Sequence, residues 1–495
     1  MCDESTKQIL AYYSDSDDED NEPSGLSDVM RGLLNTWRHD LGYVDQNNED
    51  DHFEGPHRRG GRCEITTKTL NASQFSLMTK QTSGAEEARF KKLKKDNVVQ
   101  MVIDRASGVY NRNGFCPRRK CQISNLYLPN TNFILDHSTD KIFCGVFSKD
   151  GNRFITAAQD RTIRIYNSEK SSYKFQHFIC ARDVGWSILD VAFSPNGEHF
   201  VYSTWSSSLH LCPVYDTEDN QETLSINNSR RFCIFSVKFS SDGKELVGGA
   251  NDGFLYIYDL ERHKRIFRIP AHEHDIDVNC VMFADDSSQI IYSGGDDGQV
   301  KVWDRRTLRE IGPKPVGILA GHTNGITFID SKGDGRHLIS NSKDQSIKLW
   351  DIRVFSDKGT IKRARKVVAQ QNWDYRWESV PRRLGSMGLI DGDTSVMTFK
   401  GHVVTKTLMR CRFSPLGSTG QRYIYTGCGM GRVVIYDALT GKLVKALGGH
   451  QSCVRDVDWH PVRNEILSSS WDRSVRRWVY HNKQYVDEEY SGEEL

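Results

Sequence analysis

The sequence predicts an all-β fold: a seven-bladed β-propeller over residues 121–480, preceded by a disordered extension that contains short helices. Three observations carry that expectation. A unit of about forty residues recurs, apolar and polar side chains alternate with period two inside it, and Asp-Gly or Asn-Gly turns separate the alternating runs.

Each unit combines a His, a Ser or Thr, an Asp four residues later, an aliphatic after three more and an aromatic after another three. The full copies are His272, Ser293, Asp297, Val300 and Trp303; His322, Ser340, Asp344, Ile347 and Trp350; and His450, Ser468, Asp472, Val475 and Trp478. Weaker copies hold Thr156, Asp160, Ile163 and Tyr166, then Asp252, Leu255 and Tyr258. Another holds His402, Thr426, Val433 and Tyr436, with Met430 in place of the Asp. The most degenerate copy, over residues 189–212, has neither His nor Asp. Runs such as "SIKLW" and "QVKVW" suit strands, and "SKDG", "SPNG", "SSDG" and "KGDG" suit the turns between them. Four strands per unit and seven units close into a ring that shields sheet edges. If each outer strand comes from the start of the following repeat, the last blade lacks one, and a strand within residues 121–136 is expected to supply it.

The His, Ser and Asp of a full copy resemble a hydrolase triad. The trio recurs around the ring, always with a Trp, which fits a buried hydrogen-bond chain that locks each blade better than it fits catalysis. No catalytic residue, metal ligand or cofactor is assigned. "CPRRKC" at 116–121 has no second Cys/His pair to complete a zinc site. "GGANDG" and "GCGMGR" precede strands instead of helix N-termini, so they do not cradle phosphate.

Composition limits the alternatives. A net charge of +1 argues against a global pull towards nucleic acid or an anionic membrane. There is no apolar run near the roughly 18 residues a span needs, and residues 1–10 lack a secretion pattern. Scattered cysteines in strand-like runs suit a reducing compartment, with the nucleus and cytoplasm as the expected location. Residues 1–95, with "SDSDDED" and "NNEDD", read as a largely disordered acidic region with helical segments at 26–39 and 86–95. Residues 96–120 read as a linker, 354–395 as an inserted loop on the propeller, and 481–495 as an acidic tail.

Two neighbouring repeats, "IIYSGGDDGQVKVWDRR" and "LISNSKDQSIKLWDIR", place an Arg after the Trp-Asp pair. The repeats resemble WD40 repeats, and these two resemble the Trp-Asp-x-Arg box of WD40 substrate receptors of cullin-4 RING ubiquitin ligases. That resemblance implies a non-enzymatic receptor. Trp303, Asp304, Arg306, Trp350, Asp351 and Arg353 would bind the adaptor damage-specific DNA-binding protein 1 and, through it, cullin-4. The substrate would be a protein, for which the resemblance suggests a stress-response transcription factor. Because His and Asp meet at one rim, Arg306 and Arg353 are expected at the other, where a guanidinium fork suits carboxylates and carbonyls. "NWDYR" at 372–376 lacks the upstream residues and is expected to be a decoy within an insertion on the arginine rim, where its aromatics brace the insertion on the propeller. Two alternatives stand beside this reading: a WD40 scaffold in an RNA-processing or chromatin assembly, and nucleic-acid binding through "TIKRARK" (360–366) and "SRRF" (229–232).

Overall fold

The computed structural model describes residues 67–85, 106–107, 116–215, 220–226, 232–273, 276–386 and 388–482. The helical segments expected at 26–39 and 86–95, the acidic run at 14–20, "SRR" at 229–231 and residues 483–495 lie outside them.

Seven four-stranded antiparallel sheets form the ring. In chain order the blades span 142–180, 188–225, 234–270, 278–320, 326–400 and 411–448, with 454–479 completed by a strand from before the first blade. That strand is Thr131–His137, and it pairs with Ser474–Val479 so that Thr131 faces Val479 and His137 faces Ser474. Two side-chain contacts secure it: Arg476 Nη1 donates to Asn132 Oδ1 at 2.7 Å, and the Tyr166 hydroxyl donates to Asp136. The strand lies at the end of the stretch expected to contain it, while residues 121–124 belong to a helix. Among the described residues three helices precede the ring: α1 (Lys68–Ala72), α2 (Gln74–Ser83) and α3 (Pro117–Ser124).

Each full copy of the repeat builds one hydrogen-bond chain. In the fifth blade the Trp350 indole donates to Ser340 Oγ at 2.8 Å, Ser340 Oγ lies 2.8 Å from His322 Nε2, and His322 Nδ1 lies 2.9 Å from Asp344. The corresponding separations are 3.0, 3.1 and 2.9 Å for Trp303, Ser293, His272 and Asp297. They are 2.7, 2.6 and 2.8 Å for Trp478, Ser468, His450 and Asp472. A neutral imidazole with its proton on Nδ1 satisfies every partner in the chain. Burial alone would raise the Asp344 carboxyl, but the adjacent His322, with the hydrogen bonds that it and Ser346 donate, outweighs burial and holds the acid well below its ordinary range. In the copy where Met430 replaces the Asp, His402 turns to Tyr436 and to Asn341 of the neighbouring blade.

Charged side chains cross the middle of the ring. Arg410, at the start of the sixth blade, donates to Asp190 of the second at 2.7 Å and to Asp456 of the seventh at 2.9 Å. Arg455 reaches Leu189 O at 2.9 Å from the seventh blade. All three charged members of the Arg410 pairs are buried, so neither partner can be removed without stranding the other.

Two outcomes test this architecture. A chain beginning at His137 should show a melting temperature lower by about 5 °C or more, because the last blade is left with an open edge. Ser340→Ala, which strands both the Trp350 indole and His322, should cost about 1–3 kcal/mol in denaturant unfolding.

Candidate functional site

The hairpin turns carrying the His–Asp pairs define one rim. The connections after the Trp strands define the other. The strands Gln299–Asp304 and Ser346–Asp351 end at the aspartates, so Arg306 and Arg353 lie two residues beyond them instead of closing the strand. Arg306 sits in a single helical turn, Arg305–Thr307. Each Asp accepts the backbone N–H of its Arg at 3.0 Å and then grips the guanidinium. Asp304 accepts from Arg306 Nε at 2.9 Å and Nη2 at 2.6 Å. Asp351 accepts from Arg353 Nε at 2.9 Å and from its Nη2. The clasp leaves the forks outside: the Arg306 and Arg353 side chains are 68% and 49% exposed. The hydrogen bonds from Arg306 hold the Asp304 carboxyl below its ordinary range. Trp303 and Trp350 are 1% and 0% exposed. Expected as contact residues, they can place the strand but cannot touch a partner. Arg305 makes a blade-to-blade ion pair at this rim, reaching Glu245 of the third blade.

The clasp itself is local chemistry. Asp374 and Arg376 in "NWDYR" make the same ring, with Asp374 Oδ1 accepting from the Arg376 N–H at 3.0 Å and from Nε at 2.9 Å. Position separates this copy from the other two, because the insertion does not stay on the arginine rim. Ser356 pairs with the short outer strand Gly317–Ala320 of the fourth blade: its N–H donates to Ile318 O, and its Oγ accepts from Ala320 N, both at 2.9 Å. Phe355 covers Gly317, where a Cβ would meet its ring at 2.2 Å. This zipper carries the chain to the histidine rim, where α4 (Lys358–Ala369) packs Ala364 with Ala320 and Ile390. Arg365 there pairs with Glu273, and Arg363 donates to Asp391 O, so two cations of "TIKRARK" hold protein groups. The aromatics brace the insertion in part. Trp373 is buried and donates to Ser379 O at 2.9 Å, and Lys343 stands 4.4 Å over the Tyr375 ring, while Trp377 remains 45% exposed.

The arginine rim carries more than arginines. α1 and α2, hidden in sequence by the polar composition around them, are seated here. Ser73 caps α2 by accepting Ser76 N–H, and Gly84 ends it in the left-handed conformation. Phe75 is fully buried beside His337 and Phe413, and Lys332 donates to Thr79 Oγ1 at 3.0 Å. Thr82 Oγ1 donates to Gly420 O at 2.7 Å. Around this element the rim connections expose Ile311, Val316, Val354, Leu416 and Val462, and α2 adds Leu77.

On the histidine rim, burial and the adjacent Asp296 push the Asp277 carboxyl up to about 7, against the pull of Lys343 and Arg376. An unfolded Asp titrates near roughly 4, so between about pH 4 and 7 the folded chain keeps a proton that the unfolded chain releases. Stability should therefore decline as pH rises from 5 to 8 in thermal unfolding, and Asp277→Asn should flatten that decline.

The model of the WD domain, G-beta repeat, matches residues 130–167, 221–259, 263–304, 313–351 and 441–478. The DDB1- and CUL4-associated factor 11 homolog of Caenorhabditis elegans is 42% identical over 380 residues, covering 74% of this chain and 66% of that protein. Its counterpart in Caenorhabditis briggsae is 38% identical over 395 residues, 76% of this chain and 70% of that protein. The LEC14B protein of Lithospermum erythrorhizon is 42% identical over 399 residues, 78% of this chain and 82% of that protein. With its repeats, its ring and these relatives, the chain belongs to the WD40-repeat family of the DDB1- and CUL4-associated factor 11 homologues and the LEC14B proteins.

Proposed function

We propose that this chain is a substrate receptor of a cullin-4 RING ubiquitin ligase. Its arginine rim docks the adaptor damage-specific DNA-binding protein 1, and its histidine rim, with the insertion, presents a protein substrate. One observation carries the reading: on adjacent blades of a single rim, two guanidinium forks are clasped from behind by their own aspartates and face solvent among exposed apolar side chains. The clasp lowers the entropy lost when a partner's carboxylates or carbonyls take the outer N–H groups. The names of the two Caenorhabditis relatives describe association with that adaptor and cullin.

In this reading the chain acts without an acid, base or nucleophile of its own. The His–Ser–Asp trios are buried, are closed by a Trp indole and repeat in three blades. The receptor contributes by proximity, raising the effective concentration of substrate lysines near the ubiquitin carrier. A stress-response transcription factor is the proposed substrate class, and the nucleus and cytoplasm the proposed location.

Binding to purified adaptor tests the assignment. Arg306→Ala with Arg353→Ala should weaken it roughly 10-fold or more, the loss expected of exposed anchors at an interface centre. Unchanged affinity would favour a scaffold role in another assembly, with the arginines purely structural.

A further inference from the structure

The two arginines do not have equivalent surroundings. Arg306 donates only to Asp304 among the described residues, and its Nη1 carries no bond there. Arg353 uses its Nη1 to donate to the side-chain Oε1 of Gln74, at 2.9 Å. The same oxygen accepts a second charged bond, from Arg336 Nη1 at 2.8 Å. Arg336 belongs to no Trp-Asp-x-Arg box. It stands in the turn between the first two strands of the fifth blade, directly before His337. One amide oxygen of α2 is thus held by two guanidinium groups of the blade on which α2 rests.

Gln74 is the first residue of α2, after the Ser73 cap. Phe75, the second residue of the helix, is fully buried and anchors its first turn, Thr79 with Lys332 anchors its middle, and Thr82 with Gly420 its end. Beside the buried Phe75, Gln74 supplies the polar tie between the first turn and the fifth blade. The exposed residues of α2 are Gln74, Leu77 and Gln81, spaced so that they lie along one face. Leu77 lies three residues after Gln74 on that face, so the heading of the first turn sets where Leu77 stands.

We infer that the two boxes divide the work of adaptor docking. Arg306 is a contact residue, whereas Arg353 is a positioning residue that, together with Arg336, aims the outer face of α2 through Gln74. This rests on the docking role proposed above and adds Arg336 and Gln74 to it. The adaptor surface that fits such a strip offers a carboxylate or carbonyl for Arg306 and an apolar recess for Leu77.

The experiment uses the full chain with four single variants: Arg306→Ala, Arg353→Ala, Arg336→Ala and Gln74→Ala. Affinity for purified adaptor should fall roughly 5–20-fold in each. Gln74→Ala added to Arg353→Ala should cost less than about another 2-fold, because the shared bond is already gone, whereas Gln74→Ala added to Arg306→Ala should multiply the two losses. In the adaptor-free chain, hydrogen exchange across the first turn of α2 should quicken in the Arg353, Arg336 and Gln74 variants and stay unchanged in the Arg306 variant. If Arg353→Ala weakens binding while Arg336→Ala and Gln74→Ala do not, Arg353 touches the adaptor directly and the division of labour is overturned. If Arg306→Ala also leaves affinity intact, the docking role itself falls, a result separable from the first because exchange in α2 is read without the adaptor.

Discussion

The ring depends on one pairing between distant parts of the chain, Thr131–His137 against Ser474–Val479. Without it the last blade has three strands and an open edge, and the circle is joined by side chains alone. The direction of that strand also decides what else the molecule can build. Thr131 lies opposite Val479, at the arginine rim, so the chain must arrive there before it can close the ring. α3 ends seven residues earlier and packs on the sixth blade, where Cys121 Sγ approaches Leu416 O. α2 lies against both, with Gln122 donating to Gly84 O at 2.6 Å. Ring closure thus delivers the preceding helices to the face that holds Arg306 and Arg353.

That face is rigid in its foundations and adaptable at its surface. Beneath it, the indole–serine–histidine–aspartate chains fix the hairpins, and the Arg410 pairs tie the second, sixth and seventh blades across the centre. Above it stand long side chains whose final bonds are exposed and individually weak. The histidine rim is built differently. There the insertion lays a helix beside Gly298 and sets Tyr375 against Lys343, itself paired with Asp296, so that the face owes its shape to a segment outside the repeat.

What the sequence made legible follows from periodicity. Seven spaced copies of a short pattern specify blades, and three complete tetrads can be named residue by residue because each chemical group has one partner that satisfies it. Features that depend on a single local event were harder to read. α1 and α2 sit inside a region whose average composition is polar, yet "NASQFSLMTKQTSG" carries its own signals: a Ser cap, Phe75 and Thr79 on one face, and a terminal Gly. Those signals specify α2 within the window itself. The path of the insertion was missed because it turns on Ser356 meeting a short outer strand, which leaves no pattern in the chain. Arg336 was missed because its role exists only once Gln74 has been brought beside it.

The clasp between an Asp and the Arg two places on closes within three residues, and it forms equally well at Asp374 on the far side of the ring. Such a unit is portable. It can be set into any turn without disturbing a sheet, so its presence says little about purpose. Meaning comes from the neighbourhood in which it is planted, much as identical fittings serve different uses on different walls.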